Sequence, residues 1–276
     1  MGTGWSLAFF AACAVLGAGA AGAAVLGERR RAPVRALFFA GLAAAVLFAA
    51  GNGAALLALG RPELVFGILA NPSTGLFREF AASAAAAGAM LLYAFARRRS
   101  VPARAALGLA GLGAFLSLAA VAAVGTVLFM PWRTGWHTLT AALPLIGLGL
   151  AAALPAAGLL DEVSDSGQCR GEALLTTGLP LAGASVWLVA LAFGAAPTDA
   201  PTAARLLTGD LARPFWGGFV LFGALLPGLL EMTPAAATSG KAARVAALLS
   251  LGLAAASAAQ LVEVLGGAAG WSFFSP

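Results

Sequence analysis

Glu79 is the residue of this chain whose type and position are most suited to chemistry. It follows the turn-forming residues 71–75 and directly precedes an uncharged stretch, residues 80–96. A carboxyl group placed there would lie about two turns inside a helix, at or just below the lipid headgroups. Burial disfavours the charged form of a carboxyl group, so Glu79 could accept a proton or a hydrogen bond from a bound ligand near neutral pH.

Three neighbouring residues could share a pocket with Glu79. Arg61 and Arg78 are the nearest cations in the sequence, and Ser83 follows Glu79 at i+4 on the same helical face. The alternative interpretation is structural, with Glu79 held in an interfacial ion pair by Arg78 or Arg61.

His137 is the only histidine, and it is expected on the same side of the membrane as Glu79. A histidine can titrate near neutral pH, so His137 and its neighbour Trp136 could contribute to the same pocket. The alternative is that His137 only caps a helix start, while Trp132 and Trp136 belong to an interfacial aromatic belt.

The segment before Glu79 has turn and capping signals. Pro62 predicts a short interfacial helix over 62–70. Asn71 is a favourable N-cap with Pro72 behind it, which predicts that the third long helix starts near residue 72.

The composition places these residues in a membrane. The chain is 61% hydrophobic and only 10% charged, whereas a soluble domain carries about 25% charged residues. The cations cluster in short connections rather than on one broad face, which disfavours nucleic-acid binding.

Eight apolar runs predict an all-α, polytopic membrane protein that forms an eight-helix transmembrane bundle. Crossing a bilayer takes about 20 helical residues, and backbone groups cannot stay unpaired in lipid. The chain, residues 1–276, is therefore expected to be a single transmembrane domain. Its predicted helices are 5–27, 35–59, 76–96, 105–130, 137–160, 173–196, 213–231 and 245–267.

The distribution of cations predicts the orientation. Eleven of the 16 Lys and Arg residues fall in alternate connections, those after the first, third, fifth and seventh helices. The positive-inside rule places these connections in the cytoplasm and both termini outside.

Several classes of site are disfavoured. Two isolated cysteines, Cys13 and Cys169, make neither a redox pair nor a disulfide framework. One histidine cannot supply bis-histidine ligation of a haem, and no zinc pattern or nucleotide-binding loop is present. The sequence therefore predicts no haem, no metal in this chain and no covalent catalysis by the chain alone.

In order and topology, these features resemble the membrane anchor subunits of the dimethyl sulfoxide reductase type, which belong with the polysulfide-reductase-like anchors. The similar blocks are residues 1–5, Leu-Gly-Arg-Pro at 59–62, Arg-Glu at 78–79, Trp-His-Thr at 136–138, residues 215–227 and Glu-Val-Leu-Gly at 263–266. Two positions depart from the family pattern, because Ala58 stands where the family has a histidine and Gly267 where it has an arginine.

The resemblance implies a multi-pass protein of the inner (cytoplasmic) membrane that serves anaerobic respiration. Such an anchor oxidises menaquinol and passes electrons to an iron–sulfur subunit, which supplies a molybdopterin catalytic subunit. It would bind the quinol through Glu79, aided by Arg61 or His137. The alternatives are a small-solute transporter, disfavoured because the helix centres are nearly free of charge, and a membrane assembly factor without a redox role.

Overall fold

The computed structural model describes residues 3–58, 71–72, 74–99, 101–127, 139–160, 166–194, 199–233 and 241–271. Every regular element in these ranges is helical. Eight of the helices are long and apolar enough to cross a membrane. This confirms the all-α fold with eight membrane-spanning helices.

The described helices follow the order of the apolar runs, with one short addition, α7. They are α1 (Thr3–Arg30), α2 (Val34–Ala58), α3 (Gly75–Arg98), α4 (Ala103–Val127), α5 (Leu143–Leu160), α6 (Ser166–Ala192), α7 (Asp199–Leu207), α8 (Pro214–Leu225 continued by Leu226–Met232) and α9 (Lys241–Trp271). A 3₁₀ turn, Leu139–Ala142, leads into α5.

The N-cap predicted for the third long helix is wrong: α3 begins at Gly75, three residues after the start expected from Asn71 and one residue before the predicted bound of 76. Thr74, not Asn71, is the N-cap of α3, because its hydroxyl oxygen accepts a hydrogen bond of 3.2 Å from the backbone N–H of Phe77. The amide and hydroxyl of Thr74 both donate to the carbonyl oxygen of Asn71. Asn71 thus belongs to the turn before the cap, and Glu79 lies little more than one turn inside α3. The helix predicted over 62–70 lies outside the described residues.

The first part of α8 departs from the regular helix predicted over 213–231, because Pro214–Leu225 is π-helical. Pro227 has no N–H, so it cannot donate to the carbonyl of Phe222 five residues earlier. The Ser250 hydroxyl of α9 donates to that carbonyl instead, at 2.5 Å. A side chain of the neighbouring helix thereby satisfies a backbone group that lipid could not.

α1 is the central helix of the bundle. It packs against α2, α4, α5 and α9, whereas α3 packs against α2 and α4 at the side. The main hydrophobic core joins Phe10 and Val15 of α1 to side chains of the other helices, including Phe48, Leu148 and Phe219.

Ion pairs join three helices at the end where α1 stops. At this end, here called the basic face, α3, α5 and α8 also end and α2, α4, α6 and α9 begin. Glu28 of α1 lies 3.2 Å from the Arg97 guanidinium of α3 and accepts a 2.8 Å hydrogen bond from the Tyr93 hydroxyl. Arg30 pairs with Glu172 of α6 at 2.6 Å. The other end is called the opposite face.

Glycines let α5 and α6 approach until their backbones touch. A Cβ atom built on Gly147 would lie 2.6 Å from the carbonyl oxygen of Leu179, and one on Gly183 would collide with the carbonyl oxygen of Leu143. Backbone atoms cannot move aside as a flexible side chain does. These two positions therefore admit only glycine without separating the helices.

Substitution of either contact glycine is expected to weaken the bundle. Gly147→Ala and Gly183→Ala should each lower the free energy of unfolding by about 1–3 kcal/mol, the usual cost of overpacking. Gly178→Ala is the matched control on α6, because a Cβ there meets no atom within 4 Å. Denaturant unfolding in detergent micelles would measure all three, and equal loss in the control would contradict this account of the interface.

The orientation can be tested with single cysteines at two exposed positions. With Cys13 and Cys169 replaced by alanine, an Asn71→Cys variant should react with a membrane-impermeant thiol reagent in intact cells. An Arg99→Cys variant, at the basic face, should react only after permeabilisation. The reverse pattern would place the basic face outside, against the positive-inside prediction.

Candidate functional site

Glu79 lies close to the opposite face, in the side of α3 that packs on its neighbours. The side chain is withdrawn from both lipid and water, because the residue is only 3% exposed. α3 turns this face inwards through small residues that recur at helical spacing, including the buried Ser83 and Ala86. The fold therefore buries a carboxyl group next to α2 rather than leaving it at the membrane surface.

A hydrogen-bonded pair fixes α3 to α2 one turn from the Glu79 side chain. The Ser83 oxygen lies 2.7 Å from the side-chain oxygen of Asn52 and 2.6 Å from the backbone carbonyl oxygen of Glu79. A hydroxyl has one proton, and the two ends of an amide are interchangeable by rotation. With the Asn52 amide turned over, its N–H₂ donates to Ser83, and Ser83 donates to the Glu79 carbonyl. In this arrangement the Asn52 amide, the Ser83 hydroxyl and the Glu79 backbone carbonyl each have a hydrogen-bond partner.

Asn52 is a functional candidate that the sequence reasoning missed. It is the only polar side chain in the apolar run 36–60, and it stands between Gly51 and Gly53. That isolation was the available signal, since a polar amide inside a membrane helix needs a partner on a neighbouring helix. Ser83 was predicted near Glu79, and the structure places it there through the backbone carbonyl.

Two cations were proposed as partners of Glu79, and the described structure includes Arg78 but not Arg61. Arg78 is exposed, and among the described residues no Lys or Arg forms an ion pair with Glu79. The alternative interpretation, an ion pair that holds Glu79 at the interface, is therefore wrong for Arg78 and stays untested for Arg61. One helical step of about 100° separates the two side chains, so Arg78 points outwards when Glu79 points inwards.

The remaining predicted site residues, Arg61, Trp136 and His137, lie outside the described residues. The side chains of Ala58 and Glu263 do so as well, whereas Gly267 lies within α9. The part of Arg61, Trp136 and His137 in a pocket with Glu79 stays a prediction.

A small cavity lies elsewhere in the half of the bundle towards the opposite face. It has a volume of about 20 Å³, enough for one water-sized group. The walls include the aromatic side chains of Trp187, Phe215 and Phe219, together with Leu7 of α1. The buried indole N–H of Trp187 has no acceptor in the described part of the chain. A polar atom held in the cavity could accept that hydrogen bond.

Another group of buried polar side chains lies at the basic face, far from Glu79 along the bundle axis. It combines Glu172 and Thr176 of α6 with Glu231 of α8 and Arg244 of α9, all at most 5% exposed. Arg244 donates to the Gly158 carbonyl of α5. Glu231 stands at the end of an apolar run, yet it is 1% exposed and neither of its oxygens has a hydrogen-bond partner among the described residues.

Removal of the Ser83 hydroxyl should loosen α3 from α2. Ser83→Ala leaves the Asn52 amide without its described partner, so the free energy of unfolding should fall by about 0.5–1.5 kcal/mol. Ser117→Ala is the matched control, because that buried hydroxyl donates only to the Gly113 carbonyl of its own helix. Thermal unfolding of both variants in detergent measures the difference, and an equal effect would show that the contact between the helices contributes nothing.

Comparisons with known proteins leave the family open. No protein-family model matches this chain, and no curated protein does. In the described residues, no group of three or more His, Cys, Asp or Glu side chains could hold a metal ion. The features that bear on function are therefore the chemistry and placement of the polar groups inside this eight-helix membrane protein.

Proposed function

We propose that this chain is the membrane anchor subunit of a molybdopterin oxidoreductase, and that it binds and oxidises menaquinol. The observation that best supports the proposal is the buried carboxyl group of Glu79 near the opposite face of an apolar bundle. A carboxylate held only for structure would be expected to pair with a cation, yet none of the described cations pairs with it.

Quinol oxidation needs the groups that Glu79 and its surroundings offer. A quinol becomes a quinone when it loses two electrons and two protons, so a proton acceptor must lie within reach of a ring hydroxyl. The electrons pass to an iron–sulfur subunit docked at the opposite face and then to the molybdopterin subunit. Glu79 is the first proton acceptor, and both protons leave to the water at the same face.

The ring is assigned to the neighbourhood of Glu79 rather than to the Trp187 cavity. Pockets for ring-containing ligands typically measure about 300–1,000 Å³, whereas this cavity has a volume of about 20 Å³. α1 also lies between the two places, since Leu7 lines the cavity while Phe10 meets Gly51 of α2. The unpaired indole of Trp187 is better suited to hold a water molecule.

Solute transport is a second candidate, and the buried Glu231 carboxyl favours it. Transporters hold polar groups inside the bundle, where they bind a solute or an ion. Glu231, Thr176 and Arg244 form such a group, and Glu231 has no hydrogen-bond partner in the described structure. The group lies at the basic face rather than at mid-membrane, so quinol oxidation remains the preferred function.

Glu79→Gln should abolish most quinol-dependent turnover and leave the bundle intact. Glutamine keeps the size of the side chain but cannot take up a proton at neutral pH. Because general-base catalysis contributes about 10²–10⁴-fold, we expect a fall of about 100-fold or more. The assay is the oxidation of a menaquinol analogue by the complex purified through this chain. Glu79→Asp should recover part of the rate.

Glu231→Gln is the matched control, because it neutralises an equally buried carboxyl group at the other end of the bundle. Quinol oxidation should stay within about twofold of the unaltered protein. Unchanged turnover in Glu79→Gln would remove Glu79 from the mechanism. Two results together would favour the transporter. The Glu231→Gln variant would lose solute uptake into vesicles, and the protein would purify without any redox partner.

A further inference from the structure

A cleft lined by three arginines opens at the basic face, between the start of α2 and the end of α3. Its volume is about 590 Å³, and it is bounded by Val34, Arg35, Phe38, Phe39, Arg97 and Arg98. This depth corresponds to the headgroup layer, because α2 begins and α3 ends there. A space of this size could hold a lipid headgroup.

The charges in this cleft are only partly balanced. Arg97 pairs with Glu28, and that carboxylate also accepts the hydrogen bond of Tyr93. Arg35 and Arg98 form no ion pair with any described residue. Arg35 instead lies over the Phe39 ring, 5.8 Å from its centroid, which fixes the guanidinium at the mouth of the cleft. Two guanidinium groups are thus left to receive an anion.

An apolar groove shares the Phe39 side chain with the cleft and extends along α2 towards the middle of the membrane. Phe39 lines both spaces, and the groove has a volume of about 320 Å³ between α1, α2, α5 and α9. All of its walls are apolar: Leu16, Ala20, Ala23, Phe39, Ala40, Ala43, Leu47, Ala156, Leu159, Leu160 and Leu248. On the α3 side, Leu92 and Phe95 stand exposed about two turns and one turn before Arg98. A charged cleft above apolar surfaces matches the polarity of a phospholipid.

We propose that the basic cleft binds an anionic phospholipid from the leaflet at this face. The phosphate lies between Arg35 and Arg98, because guanidinium groups donate several hydrogen bonds to phosphate oxygens. An acyl chain follows Phe39 into the apolar groove. A zwitterionic lipid is bound less well, since its own cation is repelled by the arginines. Inorganic phosphate shares the charge but has no chain for the groove. The inference does not depend on quinol oxidation.

Native mass spectrometry of the purified full-length chain in detergent tests the proposal. Phosphatidylglycerol, phosphatidylcholine and inorganic phosphate are titrated separately. Phosphatidylglycerol should bind most tightly. In the double variant Arg35→Gln/Arg98→Gln its affinity should fall about 25-fold, about fivefold for each cation removed near a membrane surface. Binding of phosphatidylcholine should change by less than about twofold.

Two controls decide between a built site and general surface charge. Arg170→Gln/Lys241→Gln removes two exposed cations from the same face without touching the cleft, so it should leave phosphatidylglycerol affinity within about twofold. Ala43→Phe fills the groove and should weaken phosphatidylglycerol binding while the arginines stay in place. An equal loss in the charge control would overturn the proposal. Inorganic phosphate binding as tightly as phosphatidylglycerol would overturn it as well.

Discussion

Hydrocarbon offers no hydrogen bonds, and this one constraint shapes most of the structure. Every backbone group inside the bilayer must find its partner within the protein. The irregular helix α8 shows how this constraint is met where a proline interrupts the regular hydrogen bonding of a helix. Pro227 removes an N–H, the π-helical turn leaves the Phe222 carbonyl without a donor, and Ser250 supplies one from α9. The proline thus introduces an irregularity and at the same time makes α8 depend on its neighbour.

The same constraint governs where the ionisable groups lie. At the basic face, Glu28 and Glu172 each have a guanidinium close by, which lowers the cost of removing their charge from water. Glu79 at the opposite face is equally withdrawn but pairs with none of the described cations. One end of the bundle is therefore tied together by ion pairs between helices. The other end holds the buried carboxyl group of Glu79, which no described cation balances.

The sequence was sufficient for features that depend on composition and period. Eight apolar runs of membrane-spanning length predicted eight helices, because no other local structure satisfies the backbone there. Features that depend on contacts with a neighbouring helix could not be predicted from the sequence. Asn71 is of a residue type that often caps helices, but it is the Thr74 side chain that accepts the hydrogen bond from the first turn of α3. Glu231 stands at the end of an apolar run, where solvent exposure is the usual outcome, and only the packing of α8 on α6 and α9 buries it.

The candidate site, like the fold, could be predicted from the sequence only in part. Glu79 and Ser83 follow from the i+4 spacing on one helix, whereas the partner Asn52 lies 31 residues away from Ser83 in the sequence and depends on the register of α2 against α3.

The register of α2 against α3 also bears on function. A glutamine at position 79 could keep the hydrogen bonds of a neutral side chain without any cost of ionisation, so a need for packing alone does not account for glutamate. What glutamate adds is the capacity to take up and release a proton. Because the Asn52–Ser83 pair holds the backbone of Glu79 against α2, this capacity is kept at a fixed place near the opposite face.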